Sequence, residues 1–554
     1  MKTPMTARRM IGTLGVFLLA NPLHAEQTPP PVADGPSATA WIRVNLVGYL
    51  PTDRKVAILS SEKPMTGRFA VGDFRAELGP DCGAWGPFAH NYRLDFSAVT
   101  EPGNYRVRVG DIHSESFKIA ADAFAEVPKQ LLAFMRLQRC GENPVTGKRC
   151  HQQDGIDTTT GARVDLVGGW HDAGDRLKHM ITTTYCVAAL QLAGAEDEAR
   201  HGAALVRKIH PDADTLYVQI GDDRDHAPPN TLWHDDQTDY GWGPGGPRAA
   251  WRAIPKPAGP KYQNESTGLA SLAGRVAAAA ALTGDVKLAR SAYALGLRYP
   301  GCAMSIPVRA PYYYGESSYH DDLEWAATEL YIATREPALR AEAVAHARRA
   351  GASRWMGRDG HGHYEFFPYV NLAHWRLHPH VDATVQAELA GFYRAGLERI
   401  RERAEQNAYR VGTPFVWCST NDVIAVATQA VLYERMTGDT RYRLLATEAR
   451  DWIFGRNPWG KSMVIGVPDT RRAASRPHHL FYKIADILPV GGLVDGPVSR
   501  KINAGLKYAD FGVDHLARFQ SDVAVYHDAF ADFSTNEPII DGTVSLYFLL
   551  SVWP

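Results

Sequence analysis

The sequence predicts a protein of two parts, a small antiparallel β-sandwich followed by a large all-α domain. From Trp41 to about Ala120, short β-rich runs alternate with turn residues: WIRVNLVGYLP, KVAILS, GRFAVGDF, NYRLDFSAV, GNYRVRVG and SFKIA. Strands at that spacing are typical of a small sandwich. After Ala121 the chain changes to long Ala- and Leu-rich stretches joined by Gly- and Pro-rich loops, which predicts helices. At 554 residues the chain also exceeds what one core usually organises.

The helical part contains a repeated hairpin. Three stretches each join an apolar helix to an amphipathic one across a short turn: AAAALTGDVKLARSAYAL, ATELYIATREPALRAEAVAHA and AVLYERMTGDTRYRLLATEA. Their turn threonines, Thr283, Thr334 and Thr437, lie roughly fifty and then roughly a hundred residues apart. At that period the domain holds on the order of six to eight hairpins, compatible with a closed ring and with an open solenoid.

The N-terminal residues have the pattern of a secretory signal. A basic start with Arg8 and Arg9 precedes a short apolar run, and the run is too short to span a bilayer. We therefore expect a signal peptide over residues 1–25 and a flexible lead-in over 26–38. The mature protein is expected in the periplasm or the medium, as a monomer.

Composition narrows the classes of partner. A formal net charge of −1 gives no support for nucleic acid or an anionic membrane as a partner. The proportions of hydrophobic residues (45%) and charged residues (22%) are those of an ordinary globular protein. The 13 Trp and 24 Tyr residues are compatible with sugar binding, because flat amphipathic rings stack on sugars, although core packing explains any single ring equally well.

Two acidic segments, near opposite ends of the helical part, are candidates for acid–base chemistry. The sequence GGWHDAGD places Asp172 and Asp175 among glycines, and YHDAFADFSTNE ends at Glu537. An Asp at a helix start would explain a lone Asp-x-x-Asp pair. The two clusters together indicate a site in which one carboxyl group donates a proton and another accepts one.

Four potential metal ligands lie close together in the sequence: Cys140, Cys150, His151 and His171. They are compatible with a closed tetrahedral zinc site. Because the spacing is not that of a zinc finger, a Cys140–Cys150 disulfide and free thiols remain alternatives. Buried free thiols explain the scattered cysteines, which are Cys82, Cys186, Cys302 and Cys418.

Five motifs, in this order along the chain, resemble glycoside hydrolase family 9, the cellulase family built on an (α/α)6 barrel and often preceded by an immunoglobulin-like module. Beside the acidic cluster at the C-terminus, the resemblance is carried by the opening RVNLVGYLP and by GGWHDAGD, SYHDDLEWAA, GRNPWGKS and RPHH. It covers nearly the whole mature chain. It implies an immunoglobulin-like sandwich over residues 39–121 and an (α/α)6 barrel catalytic domain over 122–554.

The resemblance also implies an inverting hydrolase of β-1,4-linked glucans, of the endoglucanase type. Inversion needs one carboxylic acid to protonate the leaving oxygen and one carboxylate to activate water on the opposite face. By resemblance Glu537 is the acid, Asp175 is the base and Asp172 helps to hold the water. We expect an apolar pocket to keep Glu537 protonated and a polar pocket to keep Asp175 ionised.

His478 matches the family's substrate-contacting histidine, although a His-His pair is otherwise more often a surface or packed feature. The residues expected to bind substrate are His478, Tyr526, Asp528, Trp242 and Trp233. Other aromatics of the long loops, including Trp251 and Tyr314, are equally compatible with packing. Leu480 stands where the family usually has Arg, and Pro-Ile-Ile follows Glu537 where Asn usually follows. These departures leave substrate identity and endo or exo action open.

The resemblance implies two metal sites. Family members with this N-terminal module carry a structural zinc on a set that Cys140, Cys150, His151 and His171 match, and such a zinc would stiffen the carboxylate turn. Ser317, Asp321 and Asp322 resemble the family's calcium loop. A helix N-terminus with acidic residues in its first turn is the alternative for the second segment.

Other functions remain to be weighed. Within the enzyme class, the alternative is an exo-acting β-glycosidase on cello-, xyloglucan- or chitosan-type oligosaccharides. Outside it, the chain could be a non-catalytic glycan-binding protein, although binding alone needs no opposed acid and base. A zinc hydrolase needs an open coordination position, which a complete Cys/Cys/His/His set does not leave.

Overall fold

The computed structural model describes residues 39–222, 224–225, 246–253, 266–305, 314–361, 372–508 and 512–553. The predicted signal peptide and lead-in lie outside the described residues, as do Trp233 and Trp242. No described helix combines the length and the apolar character that crossing a bilayer requires.

The N-terminal part is a β-sandwich, as the alternating strands predict. Its strands are β1 (Ala40–Arg43), β2 (Val56–Ser61), β3 (Arg68–Val71), β4 (Phe74–Glu77), β5 (His90–Asp95), β6 (Gly103–Tyr105), β7 (Val107–Val109), β8 (Ile112–His113) and β9 (Phe117–Ile119). They form antiparallel sheets in the orders β1-β2-β5, β4-β3-β7-β8 and β6-β9. Alternation is clearest in β7, where Val107 and Val109 are buried and Arg108 is exposed. The buried faces share one apolar core.

The second part is mainly helical. Its helices are α1 (Val127–Leu137), α2 (Met180–Leu192), α3 (Glu196–Ile209), α4 (Ala270–Leu282), α5 (Val286–Arg298), α6 (His320–Thr334), α7 (Pro337–Ala350), α8 (Leu372–Leu377), α9 (Ala383–Ala404), α10 (Ser419–Thr437), α11 (Arg443–Ile453), α12 (Leu480–Ala485), α13 (Arg500–Ala504) and α14 (Ile540–Val552). Short strands lie between them: β10 (Gly141–Glu142), β11 (Arg149–Cys150), β12 (Ile156–Asp157), β13 (Lys178–His179), β14 (Tyr217–Ile220), β15 (Ala249–Arg252), β16 (Leu493–Val494) and β17 (Pro538–Ile539).

The predicted hairpins are the pairs α4–α5, α6–α7 and α10–α11. Their turn threonines make the same bond, because the hydroxyl of Thr283, Thr334 or Thr437 donates to the carbonyl of the residue four positions earlier at 2.8 Å. Helix α2 contacts α4, α4 contacts α6, α6 contacts α8, α8 contacts α10, α10 contacts α14, and α14 contacts α2. Each helix of this series therefore contacts the next one.

The helices differ in how much of their surface is buried, as their sequences predict. Helices α2, α4 and α14 are buried around nearly their whole circumference, as expected for helices that are apolar on every side. Helices α3 and α5 bury one face and carry charged residues on the other.

The sandwich packs against the end of α11. Asn45 Nδ2 donates to Asp451 Oδ1 at 2.8 Å, and the amide of Leu46 donates to the carbonyl of Phe454 at 2.8 Å. The buried guanidinium of Arg450 lies 2.8 Å from Asp53 Oδ2. The motif RVNLVGYLP therefore belongs to the junction between the two parts.

Candidate active site

The sequence GGWHDAGD forms a tight turn before α2. The carbonyl of Asp172 accepts from Ile540, at the start of α14, at 3.0 Å, and the carbonyl of Gly174 accepts from Leu480 at 2.8 Å. A Cβ on Gly174 would lie 2.1 Å from the carbonyl oxygen of His478. Only glycine therefore fits where the turn meets the RPHH motif.

Glu537 reaches the same turn from the other end of the chain. Its Oε1 accepts from the backbone N–H of Gly174 at 2.9 Å. Glu537 immediately precedes β17, which pairs with β16, and its carbonyl accepts from Asp495 at 2.9 Å. Glu537 stays partly exposed and Asp175 is 9% exposed. The two acidic segments predicted to cooperate therefore meet.

Burial shifts all three of these carboxyl groups toward the neutral form. It raises the pKa of Glu537 well above its usual range, with Asp175 and Asp495 adding to the shift. It also raises the pKa of Asp175 to about 7, reinforced by Asp225 and opposed by the hydrogen bond from Leu177. Burial is thus the largest influence on the pKa of Asp175 too, and its ionisation by a polar pocket stays a prediction.

Both carboxylate oxygens of Asp172 accept hydrogen bonds. Its Oδ2 accepts from the hydroxyl of Tyr314 at 2.5 Å, and its Oδ1 accepts from the hydroxyl of Thr182. Burial raises its pKa to about 7. Tyr314, considered from the sequence only as a possible cleft aromatic, positions this carboxyl group.

A buried ion-pair cluster that the sequence did not predict lies beside Asp175. Arg248 Nη2 and Lys178 Nζ lie 2.7 and 2.8 Å from Asp154 Oδ2, and Arg248 Nη1 lies 3.6 Å from Asp225 Oδ2. Against complete burial, Arg248 and Lys178 lower the pKa of Asp154 to about 2. The proposed base therefore has arginine neighbours.

His478 lies next to the turn, with Nδ1 2.7 Å from the carbonyl oxygen of Phe530. Its ring lies close to those of Phe530 and Phe533, and Phe533 in turn faces Trp417 and Tyr508. These rings form an aromatic wall beside Glu537 that sequence spacing alone did not reveal. A contact between His478 and sugar stays a prediction.

Tyr526 and Asp528 have different positions from those expected. Tyr526 is fully buried and its hydroxyl donates to Asn536 Oδ1 at 2.9 Å. Asp528 Oδ1 accepts from the backbone N–H groups of Ser475 and Arg476 at 2.9 and 3.0 Å. Both side chains hold the segments around the site, and their contact with substrate stays a prediction.

The four predicted zinc ligands converge. The donor atoms of Cys140, Cys150, His151 and His171 all lie within 4.8 Å of one another, and all four residues are buried. Both cysteines are free thiols in the structure. Burial lowers the pKa of His171 to about 3, so its imidazole is neutral, as a metal ligand must be. The structure thus contains a candidate metal site, and its donor set fits zinc.

The candidate metal site is tied to the carboxylate turn through Gln138. The carbonyl of Gln138 accepts from the amide of His171 at 2.9 Å, and its Nε2 donates to the carbonyl of Ala173 at 2.6 Å. His479 Nε2 lies 3.0 Å from Gln138 Oε1. Through its backbone and its side chain, Gln138 therefore connects the metal-ligand segment, the turn and the RPHH motif.

The predicted calcium segment lies beside a buried arginine. Asp322 Oδ1 accepts from Arg275 Nε at 2.7 Å, and Glu316 pairs with the same guanidinium. Within the described part of the chain, the Cys/His set is the one group of three or more His, Cys, Asp or Glu side chains whose donors converge. Arg275 therefore compensates part of the negative charge of this segment, and calcium binding by Ser317, Asp321 and Asp322 stays a prediction.

The structure thus brings Asp172, Asp175 and Glu537 together in the helical domain. The chain belongs to glycosyl hydrolase family 9, whose model matches residues 124–550, and the cellulase N-terminal ig-like domain matches residues 37–114. This confirms the resemblance seen in the sequence.

Individual relatives and solved structures are also similar to this chain. Endoglucanase C of Cellulomonas fimi is 25% identical over 616 residues, covering 96% of this chain and 53% of that protein, so the chain spans about half of it. Endoglucanase 3 of Oryza sativa subsp. japonica is 24% identical over 375 residues, covering 60% of this chain and 73% of the relative. AaCel9A in complex with cellobiose-like isofagomine shares the fold at a TM-score of 0.72 and 21% identity, covering 92% of this chain and 99% of that one. A Zn-binding triple mutant of the family 9 endoglucanase J30 has a TM-score of 0.71 at 20% identity, covering 91% and 99%.

Proposed function

We propose that this protein is an exported, inverting β-1,4-glucanase of the endoglucanase type. The observation that carries the proposal is the hydrogen bond from the Gly174 amide to Glu537 Oε1 at 2.9 Å, which brings the C-terminal acid to the turn that bears Asp175. The relatives named as endoglucanases support the substrate class. We further propose that the helical domain closes into an (α/α)6 barrel.

In the proposed mechanism Glu537 protonates the glycosidic oxygen as its bond to the anomeric carbon breaks. Asp175 removes a proton from the water that attacks this carbon from the opposite face, so the anomeric configuration inverts. Asp172, fixed by Tyr314 and Thr182, helps to hold that water. Burial together with the charges of Asp175 and Asp495 favours the protonated form of Glu537.

We assign a structural zinc to Cys140, Cys150, His151 and His171. When bound, zinc supplies four coordination bonds that crosslink the segment before the turn and leaves no open position for catalysis. Gln138 passes this rigidity to Ala173 through its 2.6 Å hydrogen bond. The triple mutant of endoglucanase J30, which has this fold and is described as zinc-binding, supports this assignment.

Product analysis tests the mechanism. Cellotetraose hydrolysis followed by proton NMR should first yield the α-anomer of the new reducing end, whereas β-anomer as the first product would contradict inversion. Glu537→Gln should abolish hydrolysis yet retain binding of cellotetraose in calorimetry. Glu142→Gln, at an exposed position, is the matched control.

Endo action is tested on a soluble β-glucan of mixed linkage. An endo-enzyme lowers viscosity early, when few reducing ends have formed, whereas an exo-enzyme releases reducing ends with little loss of viscosity. The second outcome would favour the exo-acting alternative on cello-, xyloglucan- or chitosan-type oligosaccharides. Binding without hydrolysis of any of these substrates would favour the non-catalytic glycan-binding protein.

A further inference from the structure

A second carboxyl group faces Glu537 across the β16–β17 ribbon. The ribbon pairs Leu493 with Ile539 and Val494 with Pro538, so the next register position places Asp495 opposite Glu537. The Asp495 amide donates to the Glu537 carbonyl at 2.9 Å, which extends the pairing to this position. Directly opposed residues on antiparallel strands share one face, with Cβ atoms about 5 Å apart. Two acidic groups are therefore side by side.

The two carboxyl groups receive different hydrogen bonds. Trp417 Nε1 donates to Asp495 Oδ2 at 2.9 Å, and the thiol of Cys418 donates to Asp495 Oδ1 at 3.4 Å. Glu537 accepts from the Gly174 amide on Oε1. Donors on both oxygens stabilise a carboxylate anion. Asp495 is 1% exposed, so little solvent screens its charge.

We propose that Asp495 is a positioning residue for Glu537, held as the anion by Trp417 and Cys418 so that the one proton of the opposed pair resides on Glu537. This inference rests on the proposed role of Glu537 as the acid. Asp495 itself touches no reacting atom. It acts through Glu537 by making a second negative charge at this position costly.

The other titratable groups around the pair have the same sign of charge or are neutral. Those that influence Asp495 or Glu537 from neighbouring segments are Asp172, Asp175, Asp532 and Asp541. Burial, followed by Asp495 and Asp541, raises the pKa of the Cys418 thiol. The thiol therefore stays protonated and donates its hydrogen bond to Asp495. Asp175 and Asp172 favour protonation of Glu537. Burial, Asp532 and Asp172 raise the pKa of Asp495 as well, so its anionic form depends on the hydrogen bonds from Cys418 and Trp417.

The test compares Asp495→Asn with Asp495→Glu. Asparagine keeps the shape and an acceptor oxygen but removes the charge, whereas glutamate retains it. In the pH profile of kcat/KM on cellotetraose, the high-pH limb reports loss of the acid's proton. We expect D495N to move this limb down by about one pH unit, and D495E to stay near the wild type. Thermal unfolding checks the fold, and Asp495→Ser replaces D495N if the latter does not fold.

A substrate that needs no acid provides the control. The dinitrophenolate of 2,4-dinitrophenyl β-cellobioside leaves without a proton, so its hydrolysis by D495N should keep the wild-type pH dependence at the high-pH limb. An unchanged limb on cellotetraose in D495N, with E537Q inactive on that substrate, would overturn the role of Asp495 alone. Unimpaired cellotetraose hydrolysis by E537Q would overturn the proposed function and this inference with it.

Discussion

The two proposed catalytic carboxyl groups, Asp175 and Glu537, are both shifted toward the neutral form by burial but have different charged neighbours. Asp175, on the base side, has Arg248 and Arg176 near it, and both oppose the effect of burial on its pKa. Glu537, on the acid side, has Asp175 and Asp495 as its strongest charged neighbours. Burial alone would raise both pKa values together. The surrounding charges separate them, and an acid–base pair requires such a separation.

The two sides are also held in place differently. The turn that bears the proposed base is held by backbone bonds to Ile540 and Leu480 and also by Gln138, next to the candidate metal site. The proposed acid is held by the β16–β17 ribbon and the amide of Asp495, away from the metal ligands. We therefore expect metal removal to disturb Asp175 more than Glu537.

Removing either proposed catalytic group should have the largest effect. We expect Glu537→Gln and Asp175→Asn each to lower kcat on cellotetraose about 10²- to 10⁴-fold. The two variants should differ on 2,4-dinitrophenyl β-cellobioside, where E537Q regains activity and D175N does not, because only the base is still needed. Equal losses on both substrates would show that the two sides do not have separate roles.

Loss of the metal should have the second largest effect. We expect Cys150→Ser, or chelation of the purified protein, to cost a few kcal/mol and to lower Tm by several degrees. The fall in kcat should come from the base side, seen as a shift in the low-pH limb of the rate profile. Cys186→Ser, at a buried thiol outside the metal-ligand set, is the matched control. A metal-free wild-type protein by elemental analysis would contradict the assignment.

The contact between the two sides can be broken at Gly174. Alanine would place its Cβ 2.1 Å from the carbonyl of His478 and 3.0 Å from Glu537 Oε1. We expect G174A to cost about 1–3 kcal/mol of stability and to lower kcat, because the turn must move away from Glu537. Gly391→Ala in α9, where an added Cβ meets no atom within 4 Å, should leave activity unchanged. Thermal unfolding and steady-state kinetics measure both.

The sequence predicted the parts of this site whose pattern is local, and missed those made by distant partners. The strands, the hairpins and the zinc ligand set follow from periodicity or from recognisable motifs. Asp495 escaped notice because its meaning depends on pairing with Glu537, and Arg248 because its partner Asp154 is far away in the chain. The hydrogen bond from the Tyr526 hydroxyl to Asn536 was not predicted either, because spacing alone does not reveal it.

The pH dependence should separate activity from stability. With a pKa of about 7 for Asp175, kcat/KM should fall about tenfold for each pH unit below that value. Stability changes in the opposite direction, because the folded-state pKa values of Asp172 and Asp175 lie above the unfolded value near 4. Their contribution to stability is complete below about pH 4 and is lost as pH rises through about 7. Thermal unfolding and rates measured at pH 5, 6, 7 and 8 check both directions.

Calcium should have the smallest effect. Because Arg275 pairs with Asp322 and Glu316, part of the negative charge of this segment is compensated without an ion. We expect added calcium to leave Tm unchanged in a metal-stripped sample to which only zinc has been restored. Arg275→Met should instead be destabilising, because it leaves two buried carboxylates unpaired. A calcium-dependent rise in Tm that disappears in Asp321→Asn would support the calcium assignment and show that Arg275 does not compensate this segment alone.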